Sequence, residues 1–140
     1  MKKTICLVLA FIAILIIACN NPKKAVIENP YVGVWVQIAS KRVTPDTTIE
    51  RTQIANPGVK LLTKKHYAFG RQTGENTIFG GGGEYSYHDS IFTSYPKYHS
   101  NSAGVGASLR WKSTIKGDLW TISYDTLNIK GSETWKRIPE

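Results

Sequence analysis

The chain has 140 residues, of which 18 are Lys or Arg and 10 are Asp or Glu, so its formal net charge is +8, and it contains two cysteines. This length suits one folded domain. It excludes most two-domain catalysts, such as a dinucleotide-binding enzyme with a separate substrate domain, and it also excludes a (β/α)₈ barrel. Two cysteines exclude a disulfide-stapled scaffold and a four-cysteine zinc site.

The N-terminal segment has the pattern of an export signal. Lys2 and Lys3 are followed by an apolar run from Ile5 to Ala18. This run is shorter than the roughly 20 residues that a transmembrane helix needs, and its length is typical of the apolar region of a signal peptide. We therefore predict that residues 1–18 are a signal peptide.

The end of the apolar run, Ile16-Ile17-Ala18-Cys19, resembles the lipobox of bacterial lipoproteins. The resemblance implies cleavage before Cys19 and acylation of its sulfur and new amino group with chains such as palmitate. Each buried acyl CH₂ contributes about 0.8 kcal/mol, so several chains would anchor the protein to a membrane. The alternative is an ordinary N-terminal anchor helix with a chance cysteine.

Residues 19–30 are predicted to form a flexible, lipidated tether, because they contain two prolines and no hydrophobic periodicity. Asn20 follows the cysteine where Asp often marks inner-membrane retention in bacterial lipoproteins. The resemblance therefore implies a location in the cell envelope, at the outer membrane.

From Tyr31 onward, short β-rich runs alternate with turn residues, the pattern of a barrel or a sandwich. Eight sequential antiparallel strands close most naturally into an up-and-down barrel, because closure removes exposed sheet edges. We predict an all-β, eight-stranded antiparallel barrel over residues 31–140, with an open sandwich as the alternative. The predicted strands are Gly33–Ser40, Val59–Thr63, His66–Arg71, Thr77–His88, Ser90–Tyr95, Ala107–Lys116, Leu119–Asp125 and Gly131–Ile138.

Three segments between or within these strands need a separate interpretation. Lys41–Asn56 is either a functional loop or contains a short strand or helical turn around Ile49–Ile54, and Pro96–Gly106 is predicted to be a loop. Gly80–Gly83 lacks the Gly-Lys-Ser/Thr and the following helix of a phosphate-binding loop. It indicates a sharp bend or a bulge where barrel strands turn.

The two ends of the predicted barrel resemble the lipocalin and wider calycin families. In those families a Gly-x-Trp opens the first strand, and a basic residue of the last strand packs across the indole. Gly33 and Trp35 match the opening motif, and either Lys136 or Arg137 matches the basic partner. The resemblance implies that Gly33, Trp35 and Arg137 close one end of the barrel.

The middle of the chain, with its glycine run followed by Glu84-Tyr85-Ser86-Tyr87, is similar to lipocalin-like domain lipoproteins of Gram-negative bacteria. The resemblance covers Tyr31 to Ile138. The other lipocalin motifs and the C-terminal helix are missing, which argues against a large open cup.

Aromatic residues recur at period two within the strands, so they share faces of the sheet. They are predicted either to fill the barrel core or to line a pocket that orients a small amphipathic ligand. For the pocket, the predicted ligand-binding residues are Tyr67, Phe69, Tyr85, Tyr87, Trp111 and Trp120.

The sequence shows no pattern for metal or catalytic chemistry. His66, His88 and His99 are its three histidines, and none has another histidine two or four positions later. No metal and no cofactor are therefore predicted. Without a Gly-x-Ser-x-Gly motif or a local pair of carboxylates, the protein is not predicted to be an enzyme.

The positive charge does not indicate nucleic acid. Loss of Lys2 and Lys3 with the signal leaves 16 basic against 10 acidic residues, and the basic residues are spread along the chain. We predict a monomeric, membrane-anchored binding protein for a small apolar or amphipathic ligand. The alternative is an envelope interaction protein with a filled barrel, whose loops Lys41–Asn56 and Pro96–Gly106 bind a protein or a glycan.

Overall fold

The computed structural model describes residues 29–126 and 128–139, so Cys19, the predicted signal peptide and most of the predicted tether lie outside the described residues. No helix in these two ranges is long and apolar enough to cross a membrane. The described chain forms a 3₁₀ turn at Ser102–Gly104 and nine strands: β1 Gly33–Val43, β2 Thr48–Arg51, β3 Val59–Leu62, β4 His66–Gly74, β5 Thr77–His88, β6 Ile91–His99, β7 Leu109–Lys116, β8 Leu119–Thr126 and β9 Ile129–Ile138.

The strands form one antiparallel sheet that closes on itself. From β3 to β9, each strand pairs with the next along the chain, β1 pairs with β3 through Gly33–Val36, and β9 returns to pair with β1. The short strand β2 pairs only with Ser40–Val43 at the end of β1. The barrel therefore has eight strands, β1 and β3 to β9, which confirms the predicted all-β up-and-down barrel and excludes the open sandwich.

The first strand is longer than predicted. A bulge between Gln37 and Ala39 lets the second half of β1 stay paired with β9 as far as Val43. The segment Lys41–Asn56 accordingly contains the end of β1 and the short strand β2. This is the short-strand alternative, although the strand is centred slightly earlier than predicted.

The glycine run of β5 forms the predicted bulge, which also extends β6. Pairing with β6 shifts between Gly82 and Gly83, opposite Tyr98 and Pro96. A Cβ on Gly83 would lie 2.8 Å from the Lys97 nitrogen and closer still to a backbone carbonyl, so glycine is needed there. Proline is tolerated at such an irregularity because its missing N–H leaves no broken ladder bond. The predicted loop from Pro96 is therefore wrong at its start, since β6 continues for three residues beyond it.

The two ends of the barrel differ. We call the end where β1 begins and β9 ends the closed end, and the end where β1 ends and β9 begins the open end. Side chains alternate along each strand between the interior and the surface. The buried core is mainly aromatic and consists of Tyr31, Trp35, Leu62, Tyr67, Tyr85, Phe92, Trp120, Ile122 and Trp135.

Candidate ligand-binding site

The closed end is covered by the contact predicted from the lipocalin resemblance. The guanidinium of Arg137 lies over the Trp35 ring, 4.1 Å from its centroid, and donates to the carbonyl oxygens of Val32 and Pro30, at 2.6 Å for the latter. Gly33 has a φ of +133°, and a Cβ there would lie 2.9 Å from the Arg137 Nη1. Of the two basic residues considered, Arg137 is therefore the one that packs on the indole.

Tyr31, which sequence analysis did not single out, also closes this end of the barrel. We call Tyr31 and the side chains that contact it here the seal. Its side chain is 5 % exposed, and its hydroxyl lies 2.8 Å from the Ser113 Oγ, which also accepts from the Trp120 Nε1 at 2.9 Å. The Trp35 Nε1 donates to the Tyr31 carbonyl at 2.9 Å. Burial raises the pKa of the Tyr31 hydroxyl. Tyr31 precedes the first strand, so no strand periodicity marked it as buried.

Two of the six residues predicted to bind ligand belong to this seal. Tyr85 and Tyr87 lie near the end of β5, with ring centroids 6.3 Å and 4.9 Å from that of Tyr31. The Tyr85 hydroxyl donates to the Thr63 carbonyl at 2.7 Å and accepts from the Asn29 side chain at 2.9 Å. Period two placed both tyrosines correctly on one face, but it did not show at which level of the barrel they lie.

Between the seal and the open end, the barrel contains a cavity of about 290 Å³. The other four predicted residues, Tyr67, Phe69, Trp111 and Trp120, line it. Phe92 and Trp135 also line it, and these six residues form an aromatic wall. Burial raises the pKa of the Tyr67 hydroxyl, so this wall presents a neutral phenol at neutral pH.

The floor of the cavity is polar and contains an ion pair that sequence analysis missed. The Lys60 Nζ lies 3.6 Å from a carboxylate oxygen of Glu133, and it lies 4.0 Å and 4.9 Å from the ring centroids of Trp135 and Trp120. The Trp135 Nε1 donates to the same Glu133 oxygen at 3.1 Å. Burial lowers the pKa of Lys60, and the Glu133 carboxylate opposes part of that shift. The buried amide of Gln37 also lines this region.

The mouth of the cavity is at the open end, where its lining residues become more exposed. Arg71 lies over the Phe79 ring, with its guanidinium carbon 5.3 Å from the centroid, and Leu109 is 37 % exposed. The His99 ring contacts Phe79 at a centroid distance of 5.2 Å. Its Nδ1 accepts from the Asn101 backbone N–H at 2.9 Å, so the proton of the neutral ring lies on Nε2.

A second concave surface lies on the outside of the barrel, across strands β7, β8, β9 and β1. It has a volume of about 460 Å³. The row of paired residues Lys112, Ser123, Ser132 and Lys41 crosses it, and Arg110 and Lys130 flank the row. We call this surface the basic face. Asp125 is the one carboxylate among its lining residues, and it is paired with Lys130 at 3.1 Å.

The histidines lie in separate places. His66 is 4.0 Å from Glu84, His88 is 2.8 Å from Asp89 in an exposed turn, and His99 lies at the cavity mouth. In residues 29–126 and 128–139, no group of three or more His, Cys, Asp or Glu is arranged to hold a metal ion.

The eight-stranded antiparallel barrel is compatible with a lipocalin-like fold. Comparison of the chain with known proteins finds no matching family model, no matching curated protein and no matching solved structure.

Proposed function

We propose that this protein is a monomeric, membrane-anchored, lipocalin-like binding protein for a small apolar or amphipathic ligand, and that it acts without catalysis. The observation that carries the proposal is the internal cavity of about 290 Å³ with its aromatic wall and polar floor. Ligand pockets typically combine apolar walls with a few placed polar groups and have volumes of about 300–1,000 Å³. The cavity is at the small end of this range, so a compact ligand suits it better than a long chain.

The alternative is an envelope protein with a filled barrel that binds a protein or a glycan through Lys41–Asn56 and Pro96–Gly106. This alternative gives no role to the space beside Trp111 and Trp120. The second of these segments also contributes less loop than its sequence indicates, because its first four residues belong to β6. We therefore favour the carrier function.

Native mass spectrometry of the chain extracted from its own envelope tests the carrier function. We expect a small molecule to co-purify with the protein. A fluorescence titration with 2-naphthylmethanol provides an independent test, because three of the four tryptophans line the cavity and report its occupancy. If no molecule co-purifies and the probe leaves tryptophan emission unchanged, the cavity does not admit a ligand and the carrier function is wrong.

A pair of matched variants locates the binding to the cavity mouth. Leu109 is 37 % exposed at the mouth, and Leu119 is 45 % exposed on the outer surface near the closed end. Leu109→Trp should narrow the entrance and weaken probe binding by about tenfold, the effect of roughly 1.4 kcal/mol. Leu119→Trp adds the same bulk elsewhere and should leave binding unchanged. Equal effects of both substitutions would contradict entry at the open end.

The anchor is the second part of the proposal, and the lipobox-like sequence ending in Cys19 supports it. The described chain begins at Asn29, whose side chain contacts Tyr85 at the closed end. A tether from Cys19 would therefore join the barrel at its closed end. The lipobox-like sequence and the contact between Arg137 and Trp35 support assignment to the lipocalin-like lipoproteins of Gram-negative bacteria, and Asn20 after the cysteine supports the outer membrane.

Substitution at each cysteine tests the anchor. Cys19→Ala should abolish acylation and leave an unprocessed precursor or a released protein. Cys6→Ala, inside the predicted signal peptide, is the matched control and should leave processing and membrane fractionation unchanged. Normal processing and membrane attachment of the Cys19→Ala protein would show that the anchor assignment is wrong.

A further inference from the structure

Lys60 differs from a surface lysine in three respects: it lines the cavity, it is largely buried, and its side chain is directed to the interior of the barrel. It is the one lysine among the described residues that line the cavity, and its side chain is 14 % exposed. Its position on β3 opposite Trp35 and Phe69 directs it to the interior. The amino group is therefore accessible from the cavity and largely shielded from bulk water.

A proton acceptor lies beside this amine. Glu133 is the one carboxylate among the described lining residues, and its Oε2 is 3.6 Å from the Lys60 Nζ. The hydrogen bond from the Trp135 Nε1 holds the same oxygen in place. Because burial lowers the pKa of Lys60, the neutral amine is easier to reach here than at an exposed lysine.

We propose that the cavity holds an aldehyde or ketone ligand covalently, as a reversible imine with Lys60. This inference rests on the proposed function, because it requires the cavity to admit a small ligand. The aromatic wall would receive the apolar body of such a ligand, and the polar floor would receive its carbonyl group.

The chemistry needs no partner other than the carbonyl compound. The Lys60 ammonium gives a proton to the Glu133 carboxylate, and the free amine adds to the carbonyl carbon, forming a C–N bond as the carbonyl π pair moves to oxygen. A proton moves from nitrogen to that oxygen, giving a carbinolamine. Glu133 then returns its proton to the hydroxyl group, which leaves as water while the nitrogen lone pair forms the C=N bond.

The product suits the site in which it forms. An ammonium ion and a carbonyl compound give an iminium ion and water, so the positive charge stays at the same nitrogen. That charge remains beside the Glu133 carboxylate and near the Trp135 and Trp120 rings, whose faces attract a cation. The arrangement therefore stabilises the imine in its protonated form.

Reductive trapping on membranes that carry the full chain tests the proposal. The membranes are treated with 2-naphthaldehyde and cyanoborohydride at neutral pH, and labelled lysines are identified by peptide mass spectrometry. We expect labelling of Lys60 to exceed that of Lys64 and Lys65, the exposed lysines of the next turn, severalfold, because burial lowers the pKa of Lys60 and leaves more of its amine free. Lys60→Arg should remove this label, and Lys64→Arg should leave it unchanged.

Binding of the matched alcohol, 2-naphthylmethanol, separates failure of this inference from failure of the proposed function. If the alcohol binds but Lys60 is labelled no more than Lys64 and Lys65, the imine is wrong and the carrier function stands. If neither the alcohol nor the aldehyde binds, both are wrong. The comparison of lysines within the unmodified protein decides the outcome even if Lys60→Arg fails to fold.

Discussion

Two neighbouring basic residues at the end of β9 show how strongly a side chain's role depends on the face it occupies. Lys136 and Arg137 are adjacent and both charged, yet Lys136 is exposed on the outer surface while the Arg137 side chain is 17 % exposed over Trp35. Arg137 also satisfies two carbonyl groups of the segment that crosses the closed end. The stability of that end therefore depends on Arg137 alone of the two.

Arg137→Met should lower the free energy of unfolding by about 2–4 kcal/mol. The substitution removes a cation–π contact and charged hydrogen bonds to two carbonyls, although methionine retains part of the packing. Urea unfolding followed by tryptophan fluorescence measures the change. Lys136→Met is the matched control and should leave the midpoint in place. Equal midpoints for the two variants would contradict a closing role for Arg137.

Buried tyrosine hydroxyls give the protein a specific response to alkaline pH. Burial raises the pKa of Tyr31, Tyr67 and Tyr85 in the folded state. In the unfolded chain these groups lose their protons near pH 10, whereas the folded protein keeps them. Because the folded state binds more protons, its stability is intact below pH 10 and falls as pH rises above it.

The free energy of unfolding, measured by urea titration between pH 8 and pH 12, should therefore fall above pH 10. Each such tyrosine contributes a slope of up to about 1.4 kcal/mol per pH unit, and Lys60, whose pKa burial lowers, contributes in the opposite direction up to about pH 10.5. Tyr31→Phe removes one of the three hydroxyls, so its slope should be shallower. A slope that is unchanged by this substitution would show that Tyr31 ionises equally in both states.

At the scale of the strand, the need for glycine differs between Gly83 on β5 and Gly70 on β4. A Cβ on Gly83 would contact backbone atoms of β6, which cannot rotate away. Gly70, on β4, would bring a Cβ only to 3.9 Å from a side-chain carbon of Ile78, which is ordinary packing distance. The bulge therefore requires glycine at position 83, while position 70 tolerates a methyl group.

Gly83→Ala should destabilise the barrel by about 1–3 kcal/mol, the usual effect of forcing extra atoms into a packed site. Gly70→Ala is the matched control and should be neutral or slightly stabilising, because alanine restricts the unfolded chain. Chemical unfolding of both variants measures the difference. If Gly83→Ala is as stable as the parent chain, the bulge does not need the close approach of β5 and β6.

Strand periodicity predicted the barrel well, because eight short runs with turn residues between them leave few other ways to pair every edge. The same pattern predicted four of the cavity-lining aromatics. Periodicity does not give the orientation of β3, where Val59-Lys60-Leu61-Leu62 places the charged residue inside and leaves Leu61 52 % exposed. Hydrophobicity alone assigns these two residues the other way, and only pairing with Trp35 and Phe69 fixes the register.

Position along the barrel axis is the other quantity that the sequence does not contain. Tyr85 and Tyr87 share the interior face with Tyr67, yet they reach the seal formed by Tyr31 and lie below the cavity. Their level is set by the register of β5 against β4, in which Gly83 pairs with Tyr67, so Tyr85 and Tyr87 lie further along β5 towards the closed end. A one-dimensional pattern predicts the face of a residue, whereas its height requires the closed sheet.

For the whole molecule, folding collects charges that are scattered in the sequence. Lys41, Arg110, Lys112 and Lys130 come from three different strands and meet on the basic face, where Asp125 pairs with Lys130 and Glu50 of β2 pairs with Lys41. Such a surface attracts anionic headgroups, with each basic residue near the membrane contributing about 1 kcal/mol. A barrel tethered through its closed end would thus have a side suited to resting against an anionic bilayer.

The chain from Asn20 onward should therefore bind vesicles of anionic phosphatidylglycerol without its anchor, and it should bind phosphatidylcholine vesicles much more weakly. Arg110→Gln combined with Lys112→Gln removes two charges from the basic face and should weaken binding by about tenfold or more. Lys64→Gln combined with Lys65→Gln removes the same charge from a turn at the closed end and should have a smaller effect. Co-sedimentation at about 0.05 M and about 0.2 M salt should show binding that falls as screening increases. Equal losses in the two double variants would mean that net charge, and not this face, determines attraction to the membrane.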